Sequence, residues 1–195
     1  MRPDVTSCVI PFSKLEKEAF EYCKQENHIS DGTLERRKEM FKKQAVEVWK
    51  RMKDAYIQVD LVFVECDSDE NVLFPKEWME KHTELKRHPF PVCLYWLHIT
   101  EDLPAEEKLS LQFLQDTWCS SVLLAAKDKV EQYLMEGRWN TQKIVSVAPG
   151  IEDLPLESME GWAQTCNKAG IAVSVDSAGH IEPENSLFAA YIELE

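Results

Sequence analysis

Residues 59–66 constrain the fold more than any other stretch, because their apolar side chains alternate onto both sides of an extended segment. Leu61 and Phe63 would project from one face, and Val62 and Val64 from the other. A strand of this kind is typical of a sheet that is covered on both faces. The polar cluster at 67–71 then predicts a turn, and residues 72–74 predict a second short strand that completes a hairpin.

The remaining elements follow from periodicity and from the residues that begin and end helices. Ser13 and Glu16 have the spacing of a capping box at the start of the first helix. The apolar residues of 33–56 return to one helical face, and Gly170 is placed to end the last helix. The predicted helices are 15–27, 33–56, 76–85, 105–118 and 156–169. The predicted strands are 5–12, 91–99, 119–126, 142–148, 171–175 and 186–194.

Helices come first in this order, and strands mixed with short helices follow. That order favours an α+β fold over a doubly wound sheet, with the N-terminal helices packed on a mixed, mostly antiparallel β-sheet or small barrel. A chain of 195 residues is long enough for one core. We therefore expect a single domain, residues 1–195, with a helical part over 1–57 and a β-rich part over 58–195.

The charge of the chain indicates which partners it suits. The formal net charge is −13, which repels nucleic acid over most of the surface. A protein or peptide partner, and a basic one in particular, is the simpler inference. The second helix is locally basic, however, so RNA binding through Lys42, Lys43, Lys50 and Arg51 remains an alternative.

Six cysteines are even in number, but no two of them are close in sequence and no secretory leader is expected. Reduced thiols in the cytoplasm or nucleus are the better interpretation. We expect no membrane partner either, since the sequence has no apolar run of about 18 residues, the length that a membrane helix needs.

A cysteine- or metal-dependent enzyme centred on Cys93 or Cys166 is the main catalytic alternative. Cys93 has His82, His88 and His98 as neighbours in the sequence, although their spacing is loose for zinc. Cys119 or Cys166 could also pair with His180 as a nucleophile and its base. Phosphate-binding loops, the nucleophile elbow and the H-E-x-x-H motif are absent from the sequence. We therefore expect no cofactor and a non-enzymatic role.

The strand FVECDSDENV (63–72), the apolar strand at 89–97, and the helix of 157–173 occur in an order that resembles the later half of an extended Tudor domain, a Tudor/staphylococcal-nuclease-like fold. Residues 63–68 stand where that family has F-V-D-Y-G-N. The resemblance covers about residues 59–173. It implies a protein-interaction scaffold in RNA silencing. Cys66 replaces the aromatic residue of the motif, so we expect methyl-arginine recognition to be lost, because a methylated cation is held by aromatic faces.

The predicted contact surface is a groove near the central hairpin and includes the tip of the hairpin. Trp78 fits no periodic face, and neither do Trp118 and Trp139. Either these rings are partly exposed and mark an interaction surface, or each packs under a loop with its indole nitrogen in water. The acidic tip would suit a basic peptide. The candidate partner-binding residues are Phe63, Cys66, Asp67, Asp69, Glu70 and Trp78.

Overall fold

The central strand β2 (Tyr56–Cys66) is buried on both faces, as the sequence predicts. Val62 and Cys66 on one face, and Leu61 and Phe63 on the other, each expose less than a tenth of their surface. The computed structural model describes residues 3–66, 73–82, 85, 89–103, 105–106, 108–151, 153–176 and 178–194.

Within those residues β2 belongs to a five-stranded antiparallel sheet with the order β1-β2-β3-β7-β4. Strands β4 and β7 pair so that Val147 faces Ala190. A separate two-stranded sheet joins β5 and β6, with Val175 opposite Ile181. The further strands are β1 (Asp4–Pro11), β3 (Phe90–Ile99), β4 (Ile144–Val147), β5 (Ser174–Val175), β6 (Ile181–Glu182) and β7 (Ser186–Glu193).

Five α-helices complete the described structure, so the α+β prediction is confirmed. A 3-10 turn at Phe12–Lys14 leads into the first helix, and a π-helical turn at Leu134–Arg138 continues the fourth. None of the helices in the described part of the chain is both long and apolar enough to cross a bilayer. The helices are α1 (Glu16–Glu26), α2 (Glu35–Met52), α3 (Lys76–Lys81), α4 (Leu109–Tyr133) and α5 (Ser158–Ala169).

The chain divides into two compact units. The sheet unit comprises Met1–Cys8, Val59–Leu97 and Val130–Glu195, and the helical unit comprises Val9–Gln58 and His98–Lys129. One division falls between Gln58 and Val59, and the sheet unit also takes in Met1–Cys8 from the predicted helical part. The single domain over 1–195 stays a prediction. The helical unit also takes in most of α4, which the sequence assigns to the β-rich part.

The core of the sheet unit lies where α3 and α5 pack on one face of the sheet. The Trp162 ring of α5 meets Phe74 and Phe188 edge-on, with centroids 5.7 and 6.0 Å away. Its indole Nε1 donates a hydrogen bond of 2.7 Å to the Leu73 carbonyl. Trp78 of α3 stacks on Phe74 at 5.0 Å. Burial of several large rings makes this cluster a major source of stability for the unit.

The core of the helical unit is a chain of aromatic rings. Phe12 stacks on Trp49 at 6.1 Å, and Trp49 lies 4.6 Å from Trp118. Phe20 contacts both Trp118, at 5.9 Å, and Phe41, at 6.0 Å. These residues come from the 3-10 turn, α1, α2 and α4, so the ring contacts hold the unit's helices together.

Several local predictions are wrong. Residues 119–126 belong to the long helix α4, not to a strand, because their apolar side chains are buried around most of the helix and leave no period to recognise. The helix α1 begins after Leu15 without a side-chain cap, so the Ser13 capping box is not formed. Leu73 and Phe74 form a bend, so the predicted second hairpin strand is not found at these two residues.

Candidate functional site

Three of the predicted contact residues, Phe63, Cys66 and Trp78, are buried. Cys66 and Trp78 each expose 3% of their surface and belong to the core of the sheet unit. The alternative in which Trp78 and Trp118 are partly exposed is therefore wrong; both rings pack among other aromatic residues, and only Trp139 is half-buried. Such burial leaves Cys66 and Trp78 little surface to offer a partner.

The Phe63 ring is covered by residues that follow α4. The Arg138 guanidinium lies 4.6 Å above its centroid, and the Trp139 ring meets it edge-on at 6.4 Å. Arg138 also forms an ion pair with Asp4. The face of Phe63 that could hold a partner's cation is thus occupied by a cation of the same chain.

The acidic tip predicted at Asp67, Asp69 and Glu70 lies outside the described residues. Their role as partner contacts stays a prediction.

The candidate catalytic thiols are poorly suited to nucleophilic attack. All six cysteines are free, and only Cys8 is exposed. Burial raises the pKa of both Cys119 and Cys166 to about 12, and it also raises the pKa of Cys93 well above that of a free thiol. The thiolate is the nucleophile, so these side chains remain protonated at neutral pH.

Among the residues that the structure describes, the cysteines and histidines proposed from the sequence do not form a metal site. Within the described ranges, which omit His88, no group of three or more His, Cys, Asp or Glu side chains converges to hold a metal. His82 instead packs against Trp78, with ring centroids 4.1 Å apart and ring planes inclined by 33°.

The predicted basic face of α2 is exposed. Lys42, Lys43, Lys50 and Arg51 all lie at the surface of the helical unit. Arg51 is nevertheless partly neutralised, since its guanidinium contacts Glu106 at 2.5 Å and Glu47 at 3.3 Å. Lys42, Lys43 and Lys50 form no ion pair with the residues that the structure describes, so their charges are open to an anionic partner.

Sequence reasoning missed a groove in the sheet unit, which we call the acidic groove. It has a volume of about 370 Å³ and lies between the start of α5 and the β5–β6 hairpin. Its apolar lining residues come from two separate segments of the chain, 156–160 and 175–179. The described lining residues are Leu156, Glu157, Met159, Glu160, Val175, Asp176 and Gly179.

The first wall of the acidic groove is fixed by how α5 begins. Met159 is buried against the core, which leaves Glu157 and Glu160 exposed on the solvent side of the first turn. Carboxylates are favoured there by the positive end of the helix dipole. At the other end of α5, Gly170 ends the helix in the left-handed conformation, with φ +94°, as the sequence predicts.

The second wall is the turn that joins β5 to β6. The Asp176 carboxylate accepts hydrogen bonds from the backbone N–H groups of Ala178, at 2.8 Å, and His180, at 2.9 Å. Its other oxygen lies 3.0 Å from His180 Nδ1. Gly179 has φ +83°, and a Cβ there would lie 2.9 Å from the Leu156 side chain. The turn therefore depends on glycine both for its backbone conformation and for its contact with the first wall.

The electrostatics of the acidic groove favour a cation. The pKa of the Asp176 carboxyl is lowered mainly by the hydrogen bond from the backbone N–H of His180, and further by the hydrogen bond with the His180 ring. This carboxyl is therefore charged at neutral pH. Glu157 and Glu160 add two more carboxylates, and the described lining contains no lysine or arginine. A positively charged group that also carries apolar surface would match both the carboxylates and the aliphatic side chains of the lining.

Only part of this site has a signal in the sequence. The glycine-containing turn at 176–180 and the start of a helix near 156 are both recognisable, but nothing in the sequence brings them together. None of the protein-family models matches this chain, and no match is found among the curated proteins.

Proposed function

We propose that this chain is a protein-interaction module and that its acidic groove receives a basic segment of a partner protein. The main support is the combination of an aliphatic floor, formed by Leu156, Met159 and Val175, with carboxylates beside it. Lysine and arginine have apolar stems and charged ends. The stem would cover the floor while the charged end reaches Glu157, Glu160 or Asp176.

The described lining favours binding over covalent catalysis. It offers carboxylates and aliphatic side chains, whereas the buried thiols Cys93 and Cys166 carry raised pKa values. Charge-assisted hydrogen bonds between guanidinium and carboxylate groups are stronger than neutral ones. An arginine in the basic segment would therefore contribute more than a neutral polar residue.

A scaffold role in RNA silencing belongs to this proposal as well, and it rests on the resemblance of residues 59–173 to extended Tudor domains. No aromatic side chain is among the described lining residues of the acidic groove. Selection of methylated over unmethylated arginine needs aromatic faces. In our proposal the groove accepts both forms of arginine with similar affinity.

The test is a binding measurement with a matched pair of charge reversals. A short fluorescein-labelled peptide in which Arg and Leu alternate is titrated with the protein at low salt, and anisotropy gives Kd. Glu160→Lys changes the groove, while Glu184→Lys places the same charge on an exposed residue of the same unit outside the groove. We expect Glu160→Lys to raise Kd about tenfold, and Glu184→Lys about twofold or less, because only the first removes a direct charge pair.

Equal weakening by the two variants would mean that the peptide responds only to net charge, and it would contradict binding in the groove. A peptide with dimethylated arginines provides a second comparison. A large preference for it would contradict our proposal that the groove does not distinguish methylated arginine.

A further inference from the structure

The helical unit has a second groove, opposite in charge to the first, which we call the basic groove. It has a volume of about 190 Å³ and lies between the end of α1, the connection that follows it, and the first half of α2. Its described lining residues are Phe20, Lys24, Ile29, Ser30, Asp31, Lys38, Phe41 and Lys42.

The floor of the basic groove is apolar and preformed. The rings of Phe20 and Phe41 lie 6.0 Å apart, and Ile29 is half-buried beside them. Phe41 exposes 7% of its surface and belongs to the core of the unit. A side chain entering the groove would therefore meet a surface that the fold already holds in place, which lowers the entropy cost of binding.

Three lysines border this floor. Lys24 pairs with Glu21 at 2.7 Å, and its ammonium lies 5.9 Å from the Phe20 ring centroid. Lys38 donates a hydrogen bond of 3.0 Å to the Asp31 carbonyl, and its ammonium also forms a long ion pair of 4.0 Å with the exposed Glu35.

The third lysine, Lys42, is exposed and forms no ion pair among the described residues. Its charge is therefore available to a partner. The described lining holds three lysines and one carboxylate, Asp31. Glu21 and Glu35 lie beside the lining and pair with Lys24 and Lys38, so Lys42 is the lining lysine whose charge a partner would meet without an ion pair from the described residues.

We propose that the basic groove binds an acidic peptide segment that carries one apolar side chain. The apolar side chain would fill the space above Phe20 and Phe41, and flanking carboxylates would reach Lys38 and Lys42. This proposal does not depend on the acidic groove, which belongs to the other unit.

RNA fits these observations less well than an acidic peptide. Stacking of a base needs an open aromatic face. The Phe20 ring is already in contact with Phe41, Trp118 and the Lys24 ammonium. The net charge of −13 also opposes the approach of a polyanion with many phosphates, whereas a peptide with a few carboxylates needs only the local cations.

Two neighbouring lysines give a matched test. Lys42 lines the groove, and Lys43 is exposed on the same helix but does not line it. The probe is a short fluorescein-labelled peptide with a central Leu among Asp and Glu residues, titrated with the full chain. We expect Lys42→Glu to raise Kd about tenfold, Lys43→Glu to change it about twofold or less, and replacement of the central Leu of the peptide by Gly to weaken binding by a similar tenfold.

Circular dichroism melting of each variant shows whether it is folded, and both positions are exposed enough to tolerate the change. Equal losses in the two variants would overturn the proposal, since they would indicate unspecific attraction to α2. Tighter, Lys42-dependent binding of a single-stranded RNA would overturn it in favour of a nucleic-acid site. A dimer of the free protein, dissociated by Lys42→Glu in sedimentation experiments, would overturn it in favour of a second copy as the occupant.

Discussion

At the scale of single residues, the thiols show how burial controls chemistry. Desolvation raises the pKa of Cys23, Cys119 and Cys166 to about 12. The reactive species is the thiolate, and a raised pKa lowers its fraction at any pH below that value. Reaction should therefore be slow near neutral pH and should accelerate as the pH rises.

The corresponding prediction concerns thiol labelling of the native protein. With an aromatic disulfide reagent at mildly alkaline pH, we expect Cys8 to react first, because it is the exposed cysteine. Its own pKa is raised by partial burial and by Asp60, so it should react more slowly than a free cysteine. The others should react only after denaturation. Fast labelling of Cys93 or Cys166 in the folded protein would instead favour the cysteine-enzyme alternative.

Apolar periodicity identified some buried tryptophans as core residues and missed others. Trp49, Trp96 and Trp162 fall on predicted core faces and are buried. Trp78 and Trp118 fit no period and are buried as well. Trp78 stacks on Phe74, which precedes its helix, whereas the rings of Phe20 and Trp49 that cover Trp118 come from distant segments of the chain. Contacts between distant segments leave no trace in local periodicity.

At the scale of elements, the β5–β6 turn and the start of α5 act as one structural feature. Gly179 and Gly170 both have positive φ, and their surroundings differ. A Cβ at 179 would lie 2.9 Å from Leu156, whereas a Cβ at 170 would have nothing within 4 Å. An alanine at 170 would therefore add backbone strain alone, whereas an alanine at 179 would add backbone strain and an overlap with the Leu156 side chain.

We predict that Gly170→Ala lowers the free energy of unfolding by about 1 kcal/mol, the cost of a left-handed conformation for a residue with a Cβ. Gly179→Ala should cost about 1 kcal/mol more, since Leu156 must also move. Guanidinium denaturation of the two variants measures the difference. Equal losses would show that Leu156 does not pack against the turn as described.

Elements with one apolar face could be assigned from their periodicity, whereas a fully buried element shows only a continuous apolar run, which does not distinguish a strand from a helix. Phe41, Ala45 and Val48 repeat on one side of α2, and the predicted helix is confirmed. Strands β2 and β3 were recognisable because continuous apolar runs of that length are typical of covered strands. Residues 119–126 show a run of the same kind inside α4, so the same rule misassigned them.

The acidic groove could not be predicted for a different reason. Its walls come from 156–160 and 175–179, and each segment alone looks like an ordinary helix start or a solvated turn. The charge of Glu157 and Glu160 also has a local explanation in the helix dipole. The packing of Gly179 against Leu156 brings the carboxylates of both segments around one apolar floor, and this contact has no signal in either segment alone.

At the scale of the whole molecule, net charge bears on the approach of a long polyanion but does not show which short charged segments the chain can bind. The value of −13 applies to the entire chain, yet the sheet unit carries an acidic groove and the helical unit carries a basic one. Recognition depends on the few charges that border an apolar floor, because distant surface charges are screened within about 10 Å at ordinary salt. We therefore expect the two units to select partners of opposite charge.

The central claim is that the acidic groove binds a basic segment of a partner protein. Its most direct test is a nuclear magnetic resonance titration of the isotopically labelled protein with the peptide of alternating Arg and Leu. Binding in the acidic groove predicts that the amide signals of Glu157, Met159, Glu160, Val175 and Gly179 move together and saturate at one Kd, while those of Lys38 and Lys42 stay in place. Absence of shifts at saturating peptide, or shifts centred on any other surface, would contradict the proposed function.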